Sequence, residues 1–156
     1  MQTNEKIVEV LNDLIEINND RVTGYEKAIE ETKDLDVDLK AIFQSMANDS
    51  RKYAAELTQE VNKTGGEATT DTTTSGKIYR AWMDVKATFA GHDRQSVLES
   101  CEYGEDAAQK AYNSALASDA EITTEVRQLI TSQQATLRIA HNLIKKYRDL
   151  HHAVNA

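Results

Sequence analysis

No proline occurs anywhere in this chain, and only six of its 156 residues are glycine. The two strongest helix breakers are nearly missing, so long helices can run without interruption. Where apolar residues then recur at steps of three and four, an amphipathic helix is the expected outcome. The first such run starts at Thr3, a suitable N-cap, and carries Ile7, Leu11, Leu14, Val22, Tyr25 and Ile29 toward an end near Lys33. A short acidic joint, residues 34–38, leads into a second run with Asp36 as its N-cap. Its apolar face is Leu39, Ile42, Phe43, Met46, Tyr53, Leu57 and Val61. A joint this short makes the first two helices antiparallel neighbours.

Residues 64–76, TGGEATTDTTTSG, have no apolar periodicity and read as a loop. A short helix follows over 77–90, with Ile78, Trp82, Val85 and Phe89 at helical spacing, and Gly91-His92-Asp93 ends it. A long helix over about 94–117 carries Leu98, Cys101, Glu105, Ala108, Tyr112 and Ala115. Ser118-Asp119-Ala120-Glu121 matches a capping box. It predicts a last helix from there to about Leu150 with Ile122, Val126, Leu129, Gln133, Leu137, Ala140, Ile144 and Tyr147 inward.

Four main helices and one long connection over 65–92 give an all-α, antiparallel four-helix bundle. It forms a single domain over residues 1–156. A crossover long enough to traverse the bundle favours up-down-down-up order, the ferritin-like connection. Up-down-up-down with a fifth helix attached is the alternative.

Hydrophobic residues make up 40% of the chain, enough to fold it, and the net charge is −8. No basic stripe of the kind nucleic acid requires is visible, and no apolar run approaches the ~20 residues that span a bilayer. Net negative charge also argues against binding an anionic membrane surface. A single cysteine, Cys101, excludes an internal disulfide and reads as an inert core thiol. The start, Met1-Gln2-Thr3-Asn4-Glu5, lacks the charged and apolar regions of a signal peptide, so a cytoplasmic location is expected.

The informative residues are those that break the apolar faces. Asn18, Ser50, Glu105 and Gln133 each fall near the middle of one main helix, where an antiparallel bundle brings all four to one level. A buried carboxylate at Glu105 must be paired, hydrogen-bonded or bound to metal. Tyr25, Tyr53 and Tyr112 are possible donors to this belt. Glu102 lies one turn before Glu105, and His141 one turn beyond Leu137, so Glu102, Glu105 and His141 form the candidate metal set.

A dinuclear iron or manganese centre in this fold draws a Glu from each of two helices and Glu-x-x-His from each of the other two. No Glu-x-x-His occurs. Glu56-x-x-Gln59 and Glu102-x-x-Glu105 are the nearest approaches, and His141 has Arg138 three residues before it. With the ligand set incomplete, the belt reads first as a register-setting hydrogen-bond network, as polar core residues are in coiled coils.

Several stretches resemble a bacterial family of ferritin-like four-helix proteins classed as a domain of unknown function. They are Leu11-Asn12-Asp13-Leu14-Ile15-Glu16 with Gly24-Tyr25, and Tyr79-Arg80-Ala81-Trp82-Met83-Asp84-Val85-Lys86. The others are Leu98 through Ala108 with Ala111-Tyr112, and Ala140-His141-Asn142-Leu143. The resemblance covers nearly the whole chain and implies the ferritin-like fold. It implies no established activity. Tyr79 stands where the resemblance leads one to expect His.

The expectation is therefore a non-enzymatic helical-bundle protein without cofactor. It acts by self-association, as a dimer, or by binding a protein partner, with stress response as a candidate setting. The alternative is a ferritin-like iron or manganese protein with an incomplete carboxylate and histidine site.

Overall fold

A computed structural model describes residues 2–32, 36–70 and 94–155. Among them are four helices and no strand: α1 (Gln2–Glu31), α2 (Val37–Lys63), α3 (Arg94–Leu116) and α4 (Thr124–Asn155). The short helix expected over 77–90, with Trp82, and the break at His92 lie outside the described residues. No helix among the described residues is long and apolar enough to cross a membrane.

The order of the helices follows from which residues meet. Asn18 on α1 meets Ser50 on α2, which fits a hairpin. Lys6 meets Asp119 just beyond α3, Asn18 meets Tyr112, and Arg21 meets Glu105, so α3 runs antiparallel to α1. Gln109 meets Gln134, and Asp106 meets His141, so α4 runs antiparallel to α3. Gln133 meets Glu56, which places α4 against α2. α1 and α2 point in opposite directions and both α1 and α4 oppose α3, so the order is up-down-down-up. The chain must cross the length of the bundle between Lys63 and Arg94, about 40 Å for a helix of α2's 27 residues.

The crossover begins by crossing α1. Gly65 adopts φ +82, a left-handed conformation that suits glycine just past a helix end. At Gly66 a Cβ would lie 2.6 Å from a methyl of Val8. Glycine there lets the chain lie against α1, where Asn12 donates from Nδ2 to the Glu67 carbonyl at 3.0 Å. Its Oδ1 accepts from the Thr69 amide at 3.0 Å.

Three helix starts differ from the sequence expectation. α1 begins at Gln2, so Thr3 lies inside the helix rather than at its N-cap. Asp36 precedes α2, but its side chain makes no capping bond; its carbonyl accepts from the amides of Leu39 and Lys40 instead. The last helix starts at Thr124, not at Ser118. Thr123 Oγ1 accepts from the Val126 amide at 3.2 Å, the N-cap geometry, while the Ser118 hydroxyl has no hydrogen-bond partner. The turn between α3 and α4 carries the exposed Lys6–Asp119 ion pair and a buried Ala120.

The core falls into two apolar clusters stacked along the bundle axis. One packs Leu11, Leu14, Ile17, Leu57, Val61, Ala115, Val126 and Ile130, among others. The second packs Ala28, Leu39, Phe43, Met46, Val97, Leu98, Cys101 and Ile144, with the Tyr25 and Phe43 rings 5.6 Å apart. Between them lies a polar layer.

Candidate functional site

The layer is assembled by stripes of three-and-four spacing on each helix. On α1 the buried stripe is Leu14, Asn18, Arg21, Tyr25 and Ala28. Sequence reasoning followed hydrophobicity and read Val22 and Ile29 on this face; both are only half-buried. It therefore missed Arg21. The signal was present in the 4-3-4-3 spacing, in which position 21 is forced inward whatever residue it holds.

Arg21 is 1% exposed and Glu105 fully buried. The guanidinium donates from Nε to Glu105 Oε1 at 2.8 Å and from Nη2 to the same oxygen at 2.5 Å. Its Nη1 donates to Ser50 Oγ. Tyr25 donates its hydroxyl to Glu105 Oε1 at 2.6 Å. Ser50 donates its hydroxyl to Asn18 Oδ1 at 3.0 Å, and Asn18 Nδ2 donates to the Leu14 carbonyl and to the Tyr112 hydroxyl, each at 2.9 Å. Tyr112 donates to Gln133 Oε1 at 2.7 Å. Gln133 Nε2 reaches Glu56 Oε1 at 3.1 Å and the Tyr53 carbonyl at 3.4 Å.

Asn18, Ser50, Glu105 and Gln133 are thus joined into one network, with Arg21 and Tyr112 as the connectors. Tyr53, the remaining residue of the expected belt, enters through its backbone carbonyl. Glu105 Oε2 is buried and has no hydrogen-bond partner.

The electrostatics follow from this enclosure. Burial alone would lower the pKa of the Arg21 guanidinium, but Glu105, and Tyr25 after it, hold it above its ordinary value. Tyr25 is pushed well up, by burial first and by Glu105 second. Burial also raises Tyr112. The Cys101 thiol, one turn from Glu105, is raised by burial and then by that carboxylate, so it is held protonated and unreactive.

A pair of metal ions requires several converging carboxylates in this layer. The layer instead offers Glu105 with a guanidinium already against it and neutral Asn18, Ser50 and Gln133 beside it, while Glu56 joins the network only at its edge, through Gln133. A cation brought to Glu105 Oε1 would meet Arg21 at like charge, so the residues of the centre do not fit a dinuclear metal site.

The other two candidate ligands lie elsewhere. Glu105 points into the core, whereas Glu102 and Asp106, at i and i+4 on α3, face α4 near the surface. There they meet His141, and one ligand atom from each lies within 4.8 Å of the others. The structure therefore brings Glu102 and His141 together, with Asp106 in the place sequence reasoning had given to Glu105. His141 Nε2 is 2.5 Å from Asp106 Oδ1, and Nδ1 is 3.3 Å from Asn142 Oδ1. Arg148 holds Glu102 Oε2.

Comparison with known structures shows the same architecture. A point mutant of Mycobacterium smegmatis Dps1 superposes with a TM-score of 0.78 at 9% identity, covering 94% of this chain and 97% of that one. A structure described as ferritin-like, diiron-carboxylate proteins from Bacillus anthracis str. Ames superposes with a TM-score of 0.68 at 16% identity. It covers 96% of this chain and 98% of that one. At such identities the likeness establishes the ferritin-like fold. No curated protein matches the sequence. The model of one family, "Domain of unknown function (DUF2383)", matches residues 6–118, most of the chain including α1, α2 and α3, and the protein belongs to that family.

Proposed function

We propose that this chain is a non-enzymatic ferritin-like bundle that works by association, first with a second copy of itself. The observation that carries this reading is the Arg21–Glu105 pair. The centre of the bundle, where this fold can hold reactive metal, is filled by the chain's own cation and anion. Apart from Glu105 Oε2, its polar groups are spent on one another through Ser50, Asn18, Tyr112 and Gln133. Such a layer sets helix register, and the one acceptor it leaves over, Glu105 Oε2, lies on the carboxylate the guanidinium already holds. Association is supported by large aliphatic side chains left in solvent on α4, Ile139 at 69% and Leu150 at 54% exposure.

Two measurements on the untagged protein test this. Light scattering behind size exclusion should give a mass above the monomer. After incubation with iron or manganese and desalting, metal content should show no site that depends on Glu105. About two retained ions per chain, lost in Glu105→Gln, would refute the reading.

The surface cluster of Glu102, Asp106 and His141 favours a second reading, a single divalent cation bound between α3 and α4. Arg148 would have to release Glu102 for the ion to take that oxygen. One retained iron or manganese per chain, lost in Asp106→Asn and in His141→Ala, supports this reading. Stoichiometry far below one excludes it.

A further inference from the structure

The charges of this chain are not spread evenly over its bundle. α1 carries eight carboxylates against three basic residues, and α4 carries five basic residues against two carboxylates. These two helices sit at opposite corners, each packed against α2 and α3. The outward face of α4 runs Ala135, Ile139, Asn142, Lys146 and Leu150, all exposed, flanked by exposed Arg138 and Lys145. Among the described residues, neither Arg138, Lys145 nor Lys146 has an ion-pair partner.

A complementary surface lies on another side of the same molecule. Between α1 and α3 runs a groove of about 330 Å³ with apolar Val10, Ile17, Ala111 and Ala115 in its walls. Asp13 and the Ser118 hydroxyl also line it. Asp13 is exposed at the groove's edge and has no ion-pair partner among the described residues; its pKa is raised, by partial desolvation first and by Glu9 second. Ser118 Oγ is buried with no hydrogen-bond partner. An apolar trough with an uncompensated carboxylate and an unsatisfied hydroxyl suits an aliphatic side chain accompanied by a cation. The outer face of α4 presents that combination.

We infer that the chain self-associates head to tail, the exposed Ile139 of one copy, with Arg138 beside it, seating in the α1–α3 groove of the next. Packing α4 against α4 about a two-fold axis would oppose Arg138, Lys145 and Lys146 to themselves, and like charges disfavour it. A knob and a pocket on different faces make a heterologous contact, which propagates into a ring or a filament rather than closing as a symmetric dimer. This inference rests on the self-association proposed above and specifies its surfaces.

The test uses two variants that each disable one surface, Ile139→Glu and Asp13→Lys, with circular dichroism confirming that both remain folded. Sedimentation velocity of the full chain should show wild type assembling with rising concentration, less so as salt rises from about 50 to about 500 mM. Each variant alone should lose association at least ~10-fold. Mixed in equal amounts, they should form a 1:1 dimer, because Ile139→Glu keeps an intact groove and Asp13→Lys keeps an intact α4. Wild type that assembles while either variant assembles equally well, or while the mixture stays monomeric, overturns the head-to-tail arrangement alone. Wild type that stays monomeric overturns both it and the self-association on which it rests.

Discussion

Replacing Arg21 with Met leaves Glu105 fully buried with Tyr25 as its remaining donor. Three guanidinium bonds are lost, two to Glu105 and one to Ser50. Breaking a buried ion pair by removing one partner costs about 3–5 kcal/mol, because the surviving charge stays desolvated. Glu105→Gln should cost a similar amount, since it strands a guanidinium that is 1% exposed. For a protein whose whole stability is about 5–15 kcal/mol, either change is severe. Removing both charges at once should be far milder, because replacing a buried pair with apolar side chains of similar volume is often neutral or stabilising by about 1–4 kcal/mol. The double variant Arg21→Met with Glu105→Met should therefore recover most of the loss. Urea unfolding followed by circular dichroism measures this. With a slope of about 2–3 kcal/mol per molar, each single variant should move the midpoint down by about 1–2 M, and the double variant should return close to wild type. Losses that simply add in the double variant would show that the two side chains are not coupled, and would refute the central pair as the organising contact of the layer.

The start of α4 can be tested by comparing two alanines: Thr123→Ala should cost about 1 kcal/mol by loss of the N-cap bond, and Ser118→Ala close to nothing, read by the same urea titration. Cys101 should resist a thiol-specific reagent under native conditions and react only as urea opens the bundle, since burial and Glu105 hold the thiol protonated. Rapid labelling without denaturant would contradict its place in the core. Asp13 has a folded pKa raised above its unfolded value, so the native state binds the proton more tightly and stability falls as pH rises through the folded pKa. Asp13→Asn should accordingly be more stable than wild type at pH 7, with the difference vanishing below the ordinary carboxylate pKa of about 3.9. A difference that persists at pH 3 would show that its cause is not the charge.

The fold was legible because the feature that defines it is repetitive. Proline-free runs of three-and-four spacing mark α1, α2, α3 and α4, and the length of the connection before Arg94 favours one topology over the other. The polar layer was legible in part for the same reason: Asn18, Ser50, Glu105 and Gln133 stand out because each interrupts an apolar stripe. Arg21 did not stand out, because Val22 beside it looked like the better core residue. A stripe chosen by hydrophobicity slides one position toward the apolar neighbour, and the residue it skips is the charged one that matters. Asp106 was missed for a related reason. Glu102 and Glu105 at i and i+3 share a face only loosely, some 60° apart, and that is enough for the core boundary to fall between them. Glu105 is then drawn to Arg21, and Glu102 and Asp106 are left to face His141.

The same geometry explains why the incomplete ligand motif was a stronger clue than it first looked. An isolated buried carboxylate demands a positive partner, and a sequence without Glu-x-x-His leaves two ways to supply one: a metal held by fewer ligands, or a basic side chain. Four-helix packing places position 21 of α1 against position 105 of α3, and Arg21 meets the demand from within the chain. Glu105 Oε2 remains without a hydrogen bond, while Oε1 takes two guanidinium bonds and the Tyr25 hydroxyl. All three donors to Oε1 come from α1, and none of them reaches Oε2. If a metal ion had organised this layer, donors from all four helices would converge on a point. Here they form a chain from Arg21 to Gln133, in which each group satisfies the next.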